Sequence, residues 1–348
     1  MSDGSVLVTG GAGVVGSALL RELGGELDVV CLVHRTPLPE GCEGADVVTG
    51  DVTRPRLGLG RAAYAELAAR VSAIVHCAAV VEFNADRHVL HGLNVEGTEQ
   101  VLALASDAGA SLCYTSSAFL ARARLLEGEE EGTVGGLREY LRSKQIAEEL
   151  VRGGGVPYTI VRPPLLFSDS RTGLITREQG LHKVLRGVCA GAVPFLPWAP
   201  EARVDFLPQD VVAQVLASLV RAGDADGREY WVTAGAQALT ARTIVETCVA
   251  GMAAHGVEVP LPPFFDIEMV KRLIVPAFLD AFSEGDRRRL DSLIALATVF
   301  GTEEPFPESF GELPDGPPAP TELELLSALE LTVERAWAPA GRRLAGVG

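Results

Sequence analysis

The chain predicts an α/β fold, a doubly wound parallel sheet with a smaller, mainly helical C-terminal lobe, and three observations carry that prediction. Through residue 161, short β-branched runs alternate with helical stretches. The runs are apolar along their whole length instead of alternating, as strands buried on both faces are. Helical segments stand between successive runs, as crossover connections between parallel strands require.

The first strand is placed at 5–9, SVLVT, and runs into a glycine loop and a helical stretch at 14–24. The second, at 28–33 (DVVCLV), is β-branched and apolar, and a shorter one follows at 46–48. A helix at 61–70 leads to the strand at 72–77 (SAIVHC). A helix at 94–108, with Asn94, Gly97 and TEQVLALA, runs beneath the sheet. Strands at 111–115 (SLCYT) and 157–161 (PYTIV) bracket a helix at 137–152. Prolines at 163, 164, 194, 197 and 200 then break the pattern up to about 204. VDFLPQDVVAQVLASLV at 204–220 returns to strand and helix, and EYWVTAG at 229–235 reads as one more strand. From 240 on the chain is mainly helical. Residues 302–320, rich in proline and acid, read as an exposed connector, and Thr321 with Glu324 forms a capping box opening the last helix. These boundaries give a core of 1–165 plus 204–235 and a substrate lobe of 166–203 plus 236–348.

With 348 residues, 47% of them hydrophobic, the chain can bury a large core. Its formal charge of −16 argues against nucleic acid or an anionic membrane as the main partner, since both select basic surfaces. The six cysteines form no CxxC and sit mostly in apolar runs, as reduced, buried thiols do. Strand-like residues from Ser5 leave no room for a signal peptide, and no apolar run reaches membrane-spanning length. The expectation is a cytoplasmic protein; its oligomeric state is open.

VLVTGGAGVVGSALL places Gly10, Gly13 and Gly16 between a buried strand and a helix. The first glycine permits a tight turn, the second close approach of a pyrophosphate, and the third close packing of helix on strand. Amides at the helix start would hold the phosphates, so the loop points to a dinucleotide and a Rossmann-type core. The alternative is a plain strand–helix turn. The second strand ends in His34 and Arg35, with no acid to hold both ribose hydroxyls. Arg35 can pair with a 2′-phosphate, which favours NADPH over NADH.

LREYLRSK puts Lys144 four residues after Tyr140, on one helix face, in a chain with three lysines and many arginines. Ser117 lies just past the carboxyl end of the 111–115 strand, where open α/β sheets bind ligands. A phenol is a poor acid–base group at neutral pH unless a cation favours its anion. Lys144 would supply that cation and bind the nicotinamide ribose, while Ser117 holds a substrate carbonyl oxygen. The alternative is a helix face that carries Tyr140 and Lys144 without chemistry.

Gly10–Gly16, GDVTRPRLGL (50–59), HCAAVVEFNA (76–85), NVEGT (94–98), TSSAF (115–119), YLRSK (140–144) and VRPP (161–164) resemble the extended short-chain dehydrogenase/reductase superfamily. GDVTRPRLGL, Phe83–Asn84 and VDFLPQDVV are similar to its thioester reductase and fatty acyl-CoA reductase branch. The resemblance covers about 5–220. It implies Ser117, which directly precedes Ala118, as the catalytic hydroxyl in place of Ser116, with Tyr140 and Lys144. It implies a cofactor set of Thr9, Gly10, Gly13, Val14, Val15 and Gly16 in the loop. To these the set adds His34 and Arg35, Asp51 and Val52 in contact with adenine, Cys77, Ala78 and Ala79, the two alanines flanking the cofactor, Asn94 supporting the active site from a helix, and Lys144, Arg162, Pro163 and Pro164, with the prolines edging the nicotinamide pocket. Gln145 stands where these reductases often carry a large aromatic, and EGEEEGTVGGLRE before Tyr140 is short and acidic. The activity implied is NADPH-dependent reduction of an acyl thioester, on a carrier protein or on coenzyme A and met in trans, to aldehyde with alcohol left open. The alternatives are an extended reductase acting on a free ketone, alcohol or nucleotide sugar, and a non-catalytic NADP-sensing partner protein.

Other candidates read more plainly. His76 belongs to a buried strand as a core or cofactor-neighbouring residue. His88 and His91 lack the acids or cysteines of a metal site. EGEEE (127–131) is a solvated loop and DRRRLD (286–291) an exposed helix end. Residues 162–190 carry Arg162, Arg171, Arg177, Lys183 and Arg186 against Asp169 and Glu178. That excess is either a docking patch for an acidic carrier or scattered solubilising charge.

Overall fold

The computed structural model describes residues 4–83, 85–127, 131–223, 225–274, 284–300 and 303–338. Seven strands form its main sheet: β1 (Ser5–Thr9), β2 (Val29–Val33), β3 (Asp46–Thr49), β4 (Val71–His76), β5 (Ser111–Thr115), β6 (Tyr158–Arg162) and β10 (Asp226–Trp231). Their order is β10-β6-β5-β4-β1-β2-β3, and every pair is parallel. Strand order reverses at β1, the switch point of a doubly wound sheet.

Alternation along each strand sorts the core into two layers, because successive side chains leave opposite faces. Leu7, Val30, Leu32, Ile74, Leu112, Tyr114 and Ile160 pack on one face with helices α2 (Arg61–Arg70), α4 (Gly97–Ala108) and α5 (Glu131–Gly153). Val6, Val8, Val29, Cys31, Val75, Cys113 and Val161 pack on the other with α1 (Val14–Leu23) and α7 (Gln209–Ala222). The second layer continues without a break into α6 (Gly180–Cys189), α8 (Ala241–Ala254), α9 (Glu284–Phe300) and α10 (Glu322–Thr332) through Leu185, Ile244, Phe300 and Leu329. Two small ladders join core and lobe: β7 (Leu165–Phe167) pairs with β9 (Phe206–Pro208), and β8 (Arg203–Val204) with β11 (Leu239–Thr240).

Several boundaries differ from the sequence reading. The stretch taken as a helix from 94 begins at α3 (Arg87–His91), then widens to a π-helical turn over Gly92–Glu96 before α4. Helix α5 starts at Glu131 instead of 137. The strand read at 229–235 is 226–231. It ends early because the Asp205 carboxylate accepts the Ala234 and Gly235 amides at 2.9 Å each, drawing the chain out of the ladder. The proline-rich segment expected as an exposed connector is packed instead. Phe306, Ser309 and Phe310 are buried, the Thr233 hydroxyl donates to Pro307 O, and Ser309 N donates to Trp231 O. It covers the edge of β10, which would otherwise present unpaired backbone. The Thr321–Glu324 capping box forms as read. Asn84, residues 128–130 of EGEEE, Thr302 and most DRRRLD side chains lie outside the described residues.

Asp205 is 1% exposed; burial pushes its pKa up to about 7, with the two amides and Arg122 pulling the other way. An asparagine here turns an NH2 toward one of the two amides. Asp205→Asn is expected to cost about 1–3 kcal/mol at pH 8, read by urea denaturation. Unchanged stability would remove this carboxylate from the account.

Candidate active site

The strand ends assemble the site. Gly10 leaves β1 with φ of +75°, and a Cβ there would meet Ala78 N at 2.6 Å, so the loops after β1 and β4 touch backbone to backbone. A Cβ on Gly16 would sit 2.3 Å from Gly10 O, which packs α1 directly on the turn. Gly13 is the N-cap of α1 and supplies no capping side chain, and the first turn holds no acid. The first-turn amides of Val14, Val15 and Gly16 therefore face no side-chain competitor for an anion. That is the cradle a dinucleotide pyrophosphate needs, and these residues fit one.

Past β3, Asp51 follows the strand and Val52 is buried against Gly97. Burial raises the Asp51 pKa, but the Thr53 hydroxyl and amide, His34 at 3.6 Å and Arg54 at 3.4 Å together hold it below its usual value. Asp51 N donates to Leu57 O, anchored by a turn in which Arg56 and Leu57 both adopt φ of +55°. Such backbone persists because Leu57 is fully buried. Arg35 is exposed and makes no ion pair among the described residues.

Ser117 caps the helical turn after β5, its hydroxyl accepting from Phe119 N at 3.3 Å and lying near enough to Tyr140 to pull its pKa down. Ser116 is also buried, yet its hydroxyl has no partner among the described residues. Tyr140, 4% exposed, packs against Phe83 at 5.4 Å between ring centroids, the two rings tilted by 54°. Burial pushes its pKa up to about 12, and Ser117 only partly opposes that. Lys144 donates to Thr115 O at 2.9 Å and to the Tyr114 hydroxyl at 3.3 Å; burial lowers its pKa to about 8, against Cys77 and Glu148. The structure thus brings Ser117 and Tyr140 together with Lys144 one helical turn on, but the expected lowering of the Tyr140 pKa by Lys144 does not occur. Tyr140 is held as a neutral phenol, the form that can donate a proton.

Asn94 sits in the π-helical turn, and its amide bonds Val80 N at 2.8 Å, Val80 O at 3.1 Å and the Ser143 hydroxyl at 2.9 Å. Ser143 in turn donates to Tyr140 O. Asn94 thereby ties the loop through Cys77, Ala78 and Ala79 to the turn of α5 that carries Tyr140. Pro163 O accepts Ala118 N at 2.8 Å, and Pro163 and Pro164 are buried at the crevice edge.

Two expected cofactor side chains face elsewhere. Thr9 turns inward to His76 Nδ1 at 2.6 Å. Arg162 is taken by Glu148 and Glu229 and lies 4.5 Å from the Trp231 ring, so its guanidinium clamps α5 to β6 and β10. The cationic stretch at 162–190 is likewise largely neutralised. Arg171 reaches Asp210 and Glu22, Arg177 reaches Glu82, and Arg186 reaches Glu178. Sequence reasoning missed Glu148 and Tyr114. Glu148 stands four and eight residues after Lys144 and Tyr140, a spacing that places all three on one helix face.

A family model described as male sterility protein, an NAD-binding domain, matches residues 40–216. The isonitrile lipopeptide synthase of Streptomyces coeruleorubidus is 34% identical over 242 residues, 60% of this chain and 16% of that protein. The chain therefore spans only a small part of the length of that relative. The terminal R domain from the myxalamid PKS-NRPS pathway superposes with a TM-score of 0.71 at 24% identity, over 97% of this chain and 92% of the other. The reductase (R) domain of a nonribosomal peptide synthetase from Mycobacterium tuberculosis gives 0.65 at 22% identity, over 94% and 91%. The shared fold extends through the C-terminal lobe, where sequence resemblance is loose.

Gly16→Ala drives a methyl group into Gly10 O and must deform the loop. Titration of the purified variant with NADPH is expected to give binding weaker by about tenfold or more, with the far-UV spectrum retained. Binding equal to the wild type would mean that the dinucleotide does not use this loop.

Proposed function

The chain belongs to the male sterility protein family, and we propose that it is an NADPH-dependent reductase that converts an acyl thioester to an aldehyde. The observation that carries this reading is the burial of the neighbouring Ser117 and Tyr140 hydroxyls with Lys144 one helical turn on, at the strand ends that also form the glycine cradle. The acyl group would arrive on a phosphopantetheine arm, of a carrier protein or of coenzyme A. The R-domain names of the structural neighbours support the thioester class for this chain.

When bound, the reduced nicotinamide would supply the hydride that attacks the thioester carbonyl carbon. The residues do the rest. Ser117 and Tyr140 hydroxyls would bind the carbonyl oxygen as charge builds on it, and Tyr140 would give that oxygen its proton. A phenol held near 12 suits this direction, because it stays protonated across the working range while an alkoxide is a strong enough base to take the proton. Collapse of the hemithioacetal breaks the carbon–sulfur bond, releasing the aldehyde and the thiol of the arm. Lys144, while charged, would hold the ribose and replace the Tyr140 proton electrostatically.

Arg35 supports NADPH over NADH: among the described residues its guanidinium makes no ion pair, and the chain just past β2 carries His34 and Arg35 where an acid would hold both ribose hydroxyls. Lacking that acid, the site is a poor match for a nucleotide-sugar enzyme, and retention of Tyr140 and Lys144 disfavours a non-catalytic sensor.

NADPH consumption by the wild type should respond to acyl-carrier or acyl-coenzyme A substrates. Tyr140→Phe should lose about a hundredfold or more in kcat while binding NADPH within about twofold of the wild type. Arg35→Asp should weaken NADPH about tenfold or more and leave NADH binding nearly unchanged. Activity confined to free ketones, or a fully active Tyr140→Phe, contradicts the reading.

A further inference from the structure

A run of aromatic rings leads from the phenol of Tyr140 into the C-terminal lobe. Phe83 lies 5.4 Å from Tyr140 between ring centroids and 6.0 Å from Phe119. Phe119 meets Phe300 at 5.6 Å and Phe306 at 6.3 Å, and those two rings are 6.1 Å apart. Beyond them the buried Arg122 guanidinium stands 4.7 Å from the Phe306 centroid. Tyr140, Phe119, Phe300 and Phe306 are buried, whereas Phe83 is only half-buried. Phe83 is therefore the ring of that layer open to a ligand at Tyr140, and the space behind it is filled.

The loop that carries Phe83 is anchored on both sides. Asn94 fixes Val80, three residues before it, through both backbone N and O. Three residues after it, Asp86 caps α3, its carboxylate accepting His88 N at 2.8 Å. Glu82 pairs with Arg177 at 3.2 Å, which ties the same loop to the segment before α6. A ring selects by size only if it stays in place, and close packing against two neighbours leaves this one little room to yield.

A thioester whose carbonyl oxygen binds Ser117 and Tyr140 has two further substituents to place. The sulfur must lead out to solvent, because its arm is tethered to a carrier or to a nucleotide. The acyl chain leaves on the opposite side of the carbonyl carbon. We propose that Phe83 is the specificity-determining wall of the acyl site: the chain ends against its ring, and acyl groups long enough to need the space of Phe119 are excluded. This rests on the reductase reading, since it assigns a surface to that reaction's substrate. A longer apolar chain would have to displace close-packed rings and would then arrive at a buried guanidinium, and both oppose it.

The test uses S-acyl N-acetylcysteamine thioesters, which carry the end of the phosphopantetheine arm common to carrier protein and coenzyme A. A series from butanoyl to decanoyl is followed by NADPH consumption, and the wild type should favour the short members. Phe83→Ala should raise the decanoyl-to-butanoyl ratio of kcat/KM by about tenfold or more, through the room gained for methylene groups. Phe83→Trp, which keeps an aromatic partner for Tyr140 and narrows the site, should lower the same ratio. Should Phe83→Ala fail to fold, the Phe83→Trp ratio alone decides. Ratios unchanged from the wild type overturn the proposal even if activity falls on every member, because a ring that only packs Tyr140 affects all chain lengths alike. A wild type that prefers decanoyl overturns it too. A wild type inactive on every thioester but active on free ketones removes the reductase reading, and this wall with it. An active wild type with unmoved ratios removes the wall alone.

Discussion

The Lys144 ammonium is buried at the carboxyl end of β5, and its placement constrains much of the site. A charge taken out of water needs compensation at close range, and here the hydrogen bonds it donates to two neutral oxygens supply it. Both oxygens belong to residues 114 and 115, so α5 must lie across the end of β5 for the lysine to be satisfied at all. The Glu148–Arg162–Glu229 cluster fixes that crossing from the far side, eight residues along the same helix face from Tyr140. One helix position thus serves two needs: a satisfied cation and a buried phenol.

The cofactor side depends on backbone contact instead of charge. Gly10 touches the 77–78 peptide and Gly16 touches Gly10, so β1, β4 and α1 meet with no side chain between them. Asn94 then carries that geometry to Tyr140 through Val80 and Ser143. Asn94 O, in the π-helical turn at 92–96, also accepts the Thr98 hydroxyl at 2.8 Å, and Thr98 meets His76 Nε2 at 3.2 Å at the end of β4. The glycine loop and the turn of α5 that carries Tyr140 are parts of one connected unit.

Much of this was legible in the sequence because it is local. Continuous apolar runs gave the parallel strands, the glycine spacing gave the turn, and the four-residue step from Tyr140 gave Lys144. What escaped depends on partners far apart in the chain. Asp205 ends β10 by capturing amides of 234 and 235, and no local pattern in EYWVTAG announces that. The arginines after 162 looked like a basic patch until Glu22, Glu82 and Asp210, remote in sequence, came to face them. Tyr114 read as one more core residue of a buried strand; only the fold shows that its hydroxyl meets a lysine.

The central claim is that this crevice moves a hydride to a thioester carbonyl carbon. The most direct measurement follows the label: the protein, NADPH deuterated at the reactive carbon of the ring, and an acyl thioester, with the product analysed by mass spectrometry. The account predicts an aldehyde, or the alcohol derived from it, bearing deuterium on the former carbonyl carbon. Product without that deuterium, or free acid formed with no NADPH consumed, would contradict it.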